Sequence, residues 1–283
     1  MKINRKMGLT AFQQYVSPYD INDEKIRVKV EHTYRVAGIC DQIARSLPLS
    51  EEDVDLAWLI GLLHDIGRFE QVRIYNTFID TDSVDHAEYG ADILFPPKKI
   101  EQLNKEDVLQ YGEGDVSHEN TTSIRTFVEN GSEDKTIEAA IRNHNRFMIQ
   151  EGLTERERVF SNILRDADKV DILKVNVEGS ISEIYNLPME RFEQDEVTPE
   201  VLENFMEGKT ILKSLKKTAI DHMVGHISLT YGLVYLKSLE ITEKQGYLDQ
   251  LLHFPTKNPV TRKQFQQMQA QMNTYLNQRK VQA

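Results

Sequence analysis

The chain has 283 residues, 40% hydrophobic and 28% charged, an ordinary globular balance that excludes a disordered, collagenous or fibrous protein. A formal net charge of −11 argues against long nucleic acid as a partner, because binding a phosphate backbone needs a Lys/Arg face; a small phosphorylated ligand needs only one local positive site. No apolar run approaches the roughly 20 residues of a membrane span, and the basic start lacks the apolar core of a signal peptide. Cys40 is the single cysteine, so no intrachain disulfide forms, and the expected location is the cytoplasm.

In chain order, helical periodicity dominates and alternating strand patterns are absent. Residues 24–47 place Val36, Ile39, Cys40, Ile43 and Leu47 at helical spacing, and Pro48 stops the run. Ser50 reads as an N-cap, with Asp53 completing a variant capping box. Leu56, Ile60 and Leu63 then lead through an almost wholly apolar stretch, which predicts a central buried helix. Residues 71–85 are mixed and polar. Residues 96–117, with Pro96, Pro97, Gly112 and Gly114, read as a loop or lid, and His118 as the start of the helix after it.

Residues 134–148 (Ile137, Ile141, Met148) and 154–175 (Ile163, Leu164, Ala167, Ile172) read as two further helices. Residues 177–198, around Gly179 and Pro188, read as irregular. The last third carries one apolar helix from Met223 to Leu236 and a Gln-rich amphipathic end with Phe265, Met268 and Met272. It is expected to pack on the first block, with homodimer formation left open.

The polar metal-ligating residues sit on the apolar stripes. His32 shares the stripe of Val36, Ile39 and Ile43; His64 continues that of Leu56 and Ile60. His144 falls between Ile141 and Met148, and Asp168 between Leu164 and Ile172. Burying one such group without a partner costs several kcal/mol, and a shared metal satisfies them together. The string Leu62-Leu63-His64-Asp65-Ile66-Gly67-Arg68 is the most specific. Neighbours on a helix point about 100° apart, so His64 and Asp65 share a metal only near a helix end, where Gly67 lets the chain turn away. Imidazole with carboxylate suits Mn, Fe, Co, Ni or Zn, with Mg as the oxygen-preferring alternative.

His32, the His64-Asp65 doublet and Asp168 resemble the defining pattern of the HD superfamily of metal-dependent phosphohydrolases. His32-Thr33-Tyr34-Arg35-Val36-Ala37 is similar to its first-helix signature and Asp166-Ala167-Asp168-Lys169 to its last. The resemblance covers about 24–175, and implies an HD-type helical domain over 1–178 with a helical extension over 179–283. The expected fold is therefore all-α, a bundle of five or more helices. The resemblance further implies one or two divalent ions: His32, His64, Asp65 and Asp168 for the first, and Asp65, His86 and His144 for the second. His86 and His144 have the competing reading of substrate ligands at a one-metal site.

The implied reaction is hydrolysis of a small phosphoester, nucleotide or nucleotide-like, by a metal-activated water. Asp65, Arg68 and Lys169 are its candidate catalytic residues, and Arg68, Arg146 and Lys169 its phosphate binders, with Arg142 and Arg35 behind them. The alternatives are a cyclic-nucleotide or dinucleotide phosphodiesterase, a guanosine-polyphosphate hydrolase, a metal-dependent oxygenase, and a nucleotide-binding sensor without turnover. The i, i+4 pair His222 and His226 reads as ordinary helix histidines rather than a metal grip, and His253 as a surface residue. The charged runs 50–55 and 154–158 read as solvated first turns.

Overall fold

The computed structural model describes residues 1–96 and 122–281, so most of the expected lid and the helix start at His118 lie outside the described residues. Among the described residues every regular element is helical, as expected for an all-α chain. The chain divides into two units, Met1–Leu164 and Arg165–Ala283.

The first unit holds α1 (Arg5–Val16), α2 (Glu24–Arg45), α3 (Glu51–Leu63), α4 (Ile66–Tyr75), α5 (His86–Leu94), α6 (Ile124–Phe127), α7 (Asp134–Asn143) and the start of α8 (Glu155–Glu178). A 3-10 turn, Asp80–Asp82, precedes α5. Side chains fix the helix starts: the Asp23 carboxylate accepts from Lys25 N, and Ser50 and Asp53 form the expected reciprocal box. From Leu56 to Leu63 every residue of α3 is buried, and α3 packs along α2. Phe12 and Tyr15 of α1 set their rings 5.9 Å from Phe69, edge-on, and Tyr15 Oη donates to Ile66 O at 2.9 Å. That anchors the start of α4, immediately after the His64-Asp65 doublet.

One helix of this unit is shorter than its periodicity predicts. α7 stops at Asn143 instead of running to residue 148, and Met148 is 75% exposed. Local side-chain bonds compete with the helix here: Asn143 Oδ1 accepts from Gln150 N, and His144 Nδ1 bonds Ile141 O. The polar segment 71–85 also differs, since α4 continues to Tyr75 before Asn76 closes it in a left-handed conformation.

The second unit contains the rest of α8, then α9 (Ile181–Tyr185), α10 (Met189–Gln194), α11 (Pro199–Met206), α12 (Ala219–Ile227), α13 (Leu236–Gln245), α14 (Tyr247–Leu252) and α15 (Pro259–Val281). The stretch 177–198 is thus not irregular but carries two short helices. The expected single helix from Met223 to Leu236 is broken: α12 ends at Ile227, a 3-10 turn covers Ser228–Gly232, and the chain is extended at Leu233. Asp166 explains the break. Its buried carboxylate accepts from Val234 N, Tyr235 N and Ser238 Oγ at 2.7–3.0 Å, which pins the linking segment and the first turn of α13. Phe265, Met268 and Met272 of α15 are buried as their spacing predicts.

Candidate metal centre

The helix break that the site needs falls on the doublet itself. α3 ends at Leu63, His64 is its C-cap, Asp65 adopts φ −104°, ψ 20°, and α4 begins at Ile66. Two adjacent side chains that diverge on a continuous helix are thereby turned toward one point. Gly67 does not make the turn. It lies inside α4, where a Cβ would stand 2.4 Å from His86 O and 2.7 Å from Gly90 N. Glycine here lets α5 lie close against α4, and it is α5 that delivers His86.

His32, His64, Asp65, His86 and His144 are all buried and come together within the first unit. Asp65 is the centre. Its Oδ2 lies 3.6 Å from His32 Nε2 and 3.4 Å from His64 Nε2. Its Oδ1 lies 3.6 Å from His86 Nε2 and 3.7 Å from His144 Nε2. Each carboxylate oxygen therefore faces its own pair of imidazoles, whose Nε2 atoms are 3.3 Å apart in the His32–His64 pair and 3.0 Å in the other. Two ligands held at about 2.1 Å from one tetrahedral ion are about 3.4 Å apart, so these spacings fit shared coordination.

The protonation pattern fits a metal as well. His64 Nδ1 bonds Gly61 O at 2.8 Å, His144 Nδ1 bonds Ile141 O at 2.7 Å, and His86 Nδ1 bonds Asp80 Oδ2 at 2.7 Å. These acceptors assign the proton to Nδ1 in all three rings and leave the Nε2 lone pairs directed into the cluster. Burial first, and Arg68 next, push His86 down to about 4, against the pull of Asp80, so its ring is neutral at neutral pH. Burial alone would raise Asp65, yet the Lys29 ammonium and the surrounding histidines hold its carboxyl well below the usual range. The donor set thus consists of imidazoles and one charged carboxylate, a combination suited to a divalent transition metal.

Sequence reading missed two residues of this centre. Lys29 Nζ donates to Asp65 Oδ2 at 2.7 Å. Its place three residues before His32, on the same face of α2, was the available signal. Asp80 orients His86 and is itself held by Arg68 Nη1 at 2.8 Å and Gln71 Nε2 at 3.0 Å; nothing in its polar surroundings marks it. Asp80, Asp85 and His86 also cluster, but Asp85 caps α5 by accepting from Ala87 N and Glu88 N, so that group has a structural account.

The candidate phosphate binders differ in their surroundings. Arg68 Nη1 bonds Gln71 Oε1, Phe78 O and Asp80, while its buried Nε has no hydrogen-bond partner and stands 3.7 Å from Asp65 Oδ1. Arg146 is exposed and pairs with Glu88 at 2.6 Å, and Arg142 with Glu88, Asp92 and Glu138. Asp168 and Lys169 lie on α8 in the second unit, both half-buried. Lys169 Nζ donates to Gly232 O at 2.7 Å, and burial beside Arg165 lowers it to about 8.

The family model for the HD domain matches residues 30–176, more than half of the chain. No curated protein and no solved structure matches it.

Proposed function

The chain belongs to the HD-domain family of metal-dependent phosphohydrolases, and from that premise we propose that it hydrolyses a small phosphoester at the cluster around Asp65. The observation that carries this reading is the placement of the two Asp65 oxygens, each against a separate pair of imidazole Nε2 atoms. His32 and His64 would hold one ion with Oδ2, and His86 and His144 a second with Oδ1. A bound divalent metal would supply Lewis acidity and lower the pKa of a water toward about 7.

The chain's own residues set the conditions for that chemistry. Asp80 and the Gly61 and Ile141 carbonyls keep protons on Nδ1, so the ligating nitrogens stay bare. Lys29 and Arg68 place positive charge beside Asp65, where negative charge on a phosphoryl group is favoured. Arg146 and Lys169 are assigned to the remaining phosphate charge, and the substrate to the nucleotide class.

Metal content of protein purified without chelator tests the reading, for wild type and Asp65→Ala together. About two equivalents of a transition metal, lost in the variant, with turnover in a phosphoester screen, support it. Wild-type protein that neither carries nor takes up Mn, Fe, Co, Ni or Zn sinks it. Asp168→Ala in the same assay tests the ligand that the family pattern adds.

A further inference from the structure

The second unit contains a group of cationic and imidazole side chains to which the proposed hydrolysis assigns no role. Lys216 follows the 3-10 turn Lys213–Leu215, and its half-buried side chain runs back over α12. A Cβ on Gly225 would stand 2.3 Å from Lys216 Cε and 2.4 Å from its Nζ. The lysine tip therefore lies across the surface of α12 between His222 and His226, at a place only glycine leaves open. Among the described residues the Lys216 ammonium makes neither a hydrogen bond nor an ion pair, and the His222 ring makes no hydrogen bond.

The neighbouring carboxylate does not supply the missing partner. Asp221 is buried, and its oxygens accept from the backbone N–H groups of Thr198, Lys217 and Thr218. His226 is held from behind. Its ring stacks on Tyr185 with centroids 5.4 Å apart, and its Nδ1 lies 2.5 Å from Tyr185 Oη and 3.0 Å from Asn176 Oδ1. Tyr185 has one proton and donates it to Asn176 Oδ1 at 2.5 Å, which leaves His226 Nδ1–H as the donor to this pair. His226 Nε2 is then an acceptor. Burial pushes Lys216 down to about 8 and His226 to about 3, with Asp168 opposing the shift at His226. At neutral pH Lys216 keeps its charge and His226 is neutral.

A partly desolvated ammonium without an ion pair is an unfavourable arrangement that a bound anion would relieve. The nearby ammonium also disfavours the alternative, a cation gripped by His222 and His226. The reading of the pair as plain helix histidines leaves Lys216 unexplained.

We propose that Lys216, His222 and His226 form a binding site for a phosphoryl group. Lys216 supplies the charge and His222 a ring N–H to a phosphoryl oxygen. His226 Nε2 accepts from a P–OH or from a hydroxyl next to the phosphate. Lys213, exposed at the start of the same turn, adds positive potential. The choice of phosphate over other oxyanions rests on the hydrolase reading; the existence of the site does not.

The test is calorimetric titration of the full-length, chelator-treated chain with inorganic phosphate at pH 7, alongside histidine NMR. Expected are phosphate binding to wild type, a shift of the His222 ring signals on titration, and at least tenfold weaker binding in both Lys216→Ala and Gly225→Ala. The second variant keeps the charge and only displaces the lysine tip, so it separates the site from general loss of a cation. Absence of binding to wild type, unmoved His222 signals, or unchanged affinity in the two variants overturns the proposal. Replacing phosphate by a nucleoside monophosphate separates the sources: tighter binding through the same residues assigns an esterified ligand, equal binding free phosphate. Failure of the hydrolase reading would show instead as absence of metal in untreated protein, a result that leaves this titration unaffected.

Discussion

In the first unit four imidazoles surround one carboxylate; in the second, two imidazoles stand beside a lysine. The rings of the first unit are buried and those of the second half-buried, and the two groups differ further in what the other edge of each ring meets. His64, His86 and His144 give Nδ1–H to fixed acceptors and turn bare Nε2 atoms toward Asp65, which prepares them for a cation. His226 is held in the same way by Tyr185 and Asn176, but the charge that acts on it most strongly is the Lys216 ammonium, with Asp168 opposing it. The sign of the companion charge decides what each cluster can hold.

The largest effect expected is from Asp65→Asn. Near-isosteric loss of the central charge should abolish metal retention and lower phosphoester hydrolysis by roughly a thousandfold or more; elemental analysis and turnover of the purified variant check it, and metal retained at wild-type level would break the comparison at its centre. Next is Gly67→Ala, whose Cβ meets the backbone of α5 at 2.4 Å. Because neither helix can yield locally, a loss of about 3 kcal/mol is expected in denaturant unfolding. Asp80→Asn removes the anion that holds His86 Nδ1–H and should weaken metal affinity about 10- to 100-fold with the fold intact, read by competition with a chelating dye.

Smaller effects sharpen the second unit. Lys216→Met should be more stable than wild type at pH 7 by on the order of 1 kcal/mol, because burial makes the charged lysine unfavourable in the folded chain. Its folded value is about 8 against an ordinary 10.5, so between these the unfolded chain binds more protons and wild-type stability rises with pH. The advantage of the variant is therefore full below pH 8 and closes as pH rises toward 10.5, with Lys213, His222 and Asp221 the other charged or titratable groups that act on Lys216 or its neighbour. Melting curves across that range check the sign. The smallest effect is Gly225→Ala: its Cβ meets only the end of a flexible side chain, so less than about 1 kcal/mol is expected, in contrast with Gly67→Ala.

Much of this protein is legible in the order of its residues. The apolar stripes of α2 and α3, the capping box at Ser50 and Asp53, and the buried row Phe265, Met268 and Met272 follow from local spacing and local hydrogen bonds, and they formed as expected. The all-α class and three of the histidines that line the centre, His32, His64 and His144, were readable for the same reason: a polar ligand on an apolar stripe must point inward, whatever it meets there; His86 came from the family resemblance. The sequence likewise determined that His64 and Asp65 needed a helix end.

Only the tertiary structure decided where that end falls, at the doublet rather than at Gly67, and gave Gly67 its role in the approach of α5. It alone joined Asp80 to His86, Lys29 to Asp65 and Asp166 to the turn before α13, and it broke the apolar run from Met223 to Leu236 that periodicity reads as one helix. Spacing along a chain records which face of a helix is dry. It does not record which distant carboxylate or backbone amide will occupy that face, because those partners are chosen by packing between segments far apart in sequence.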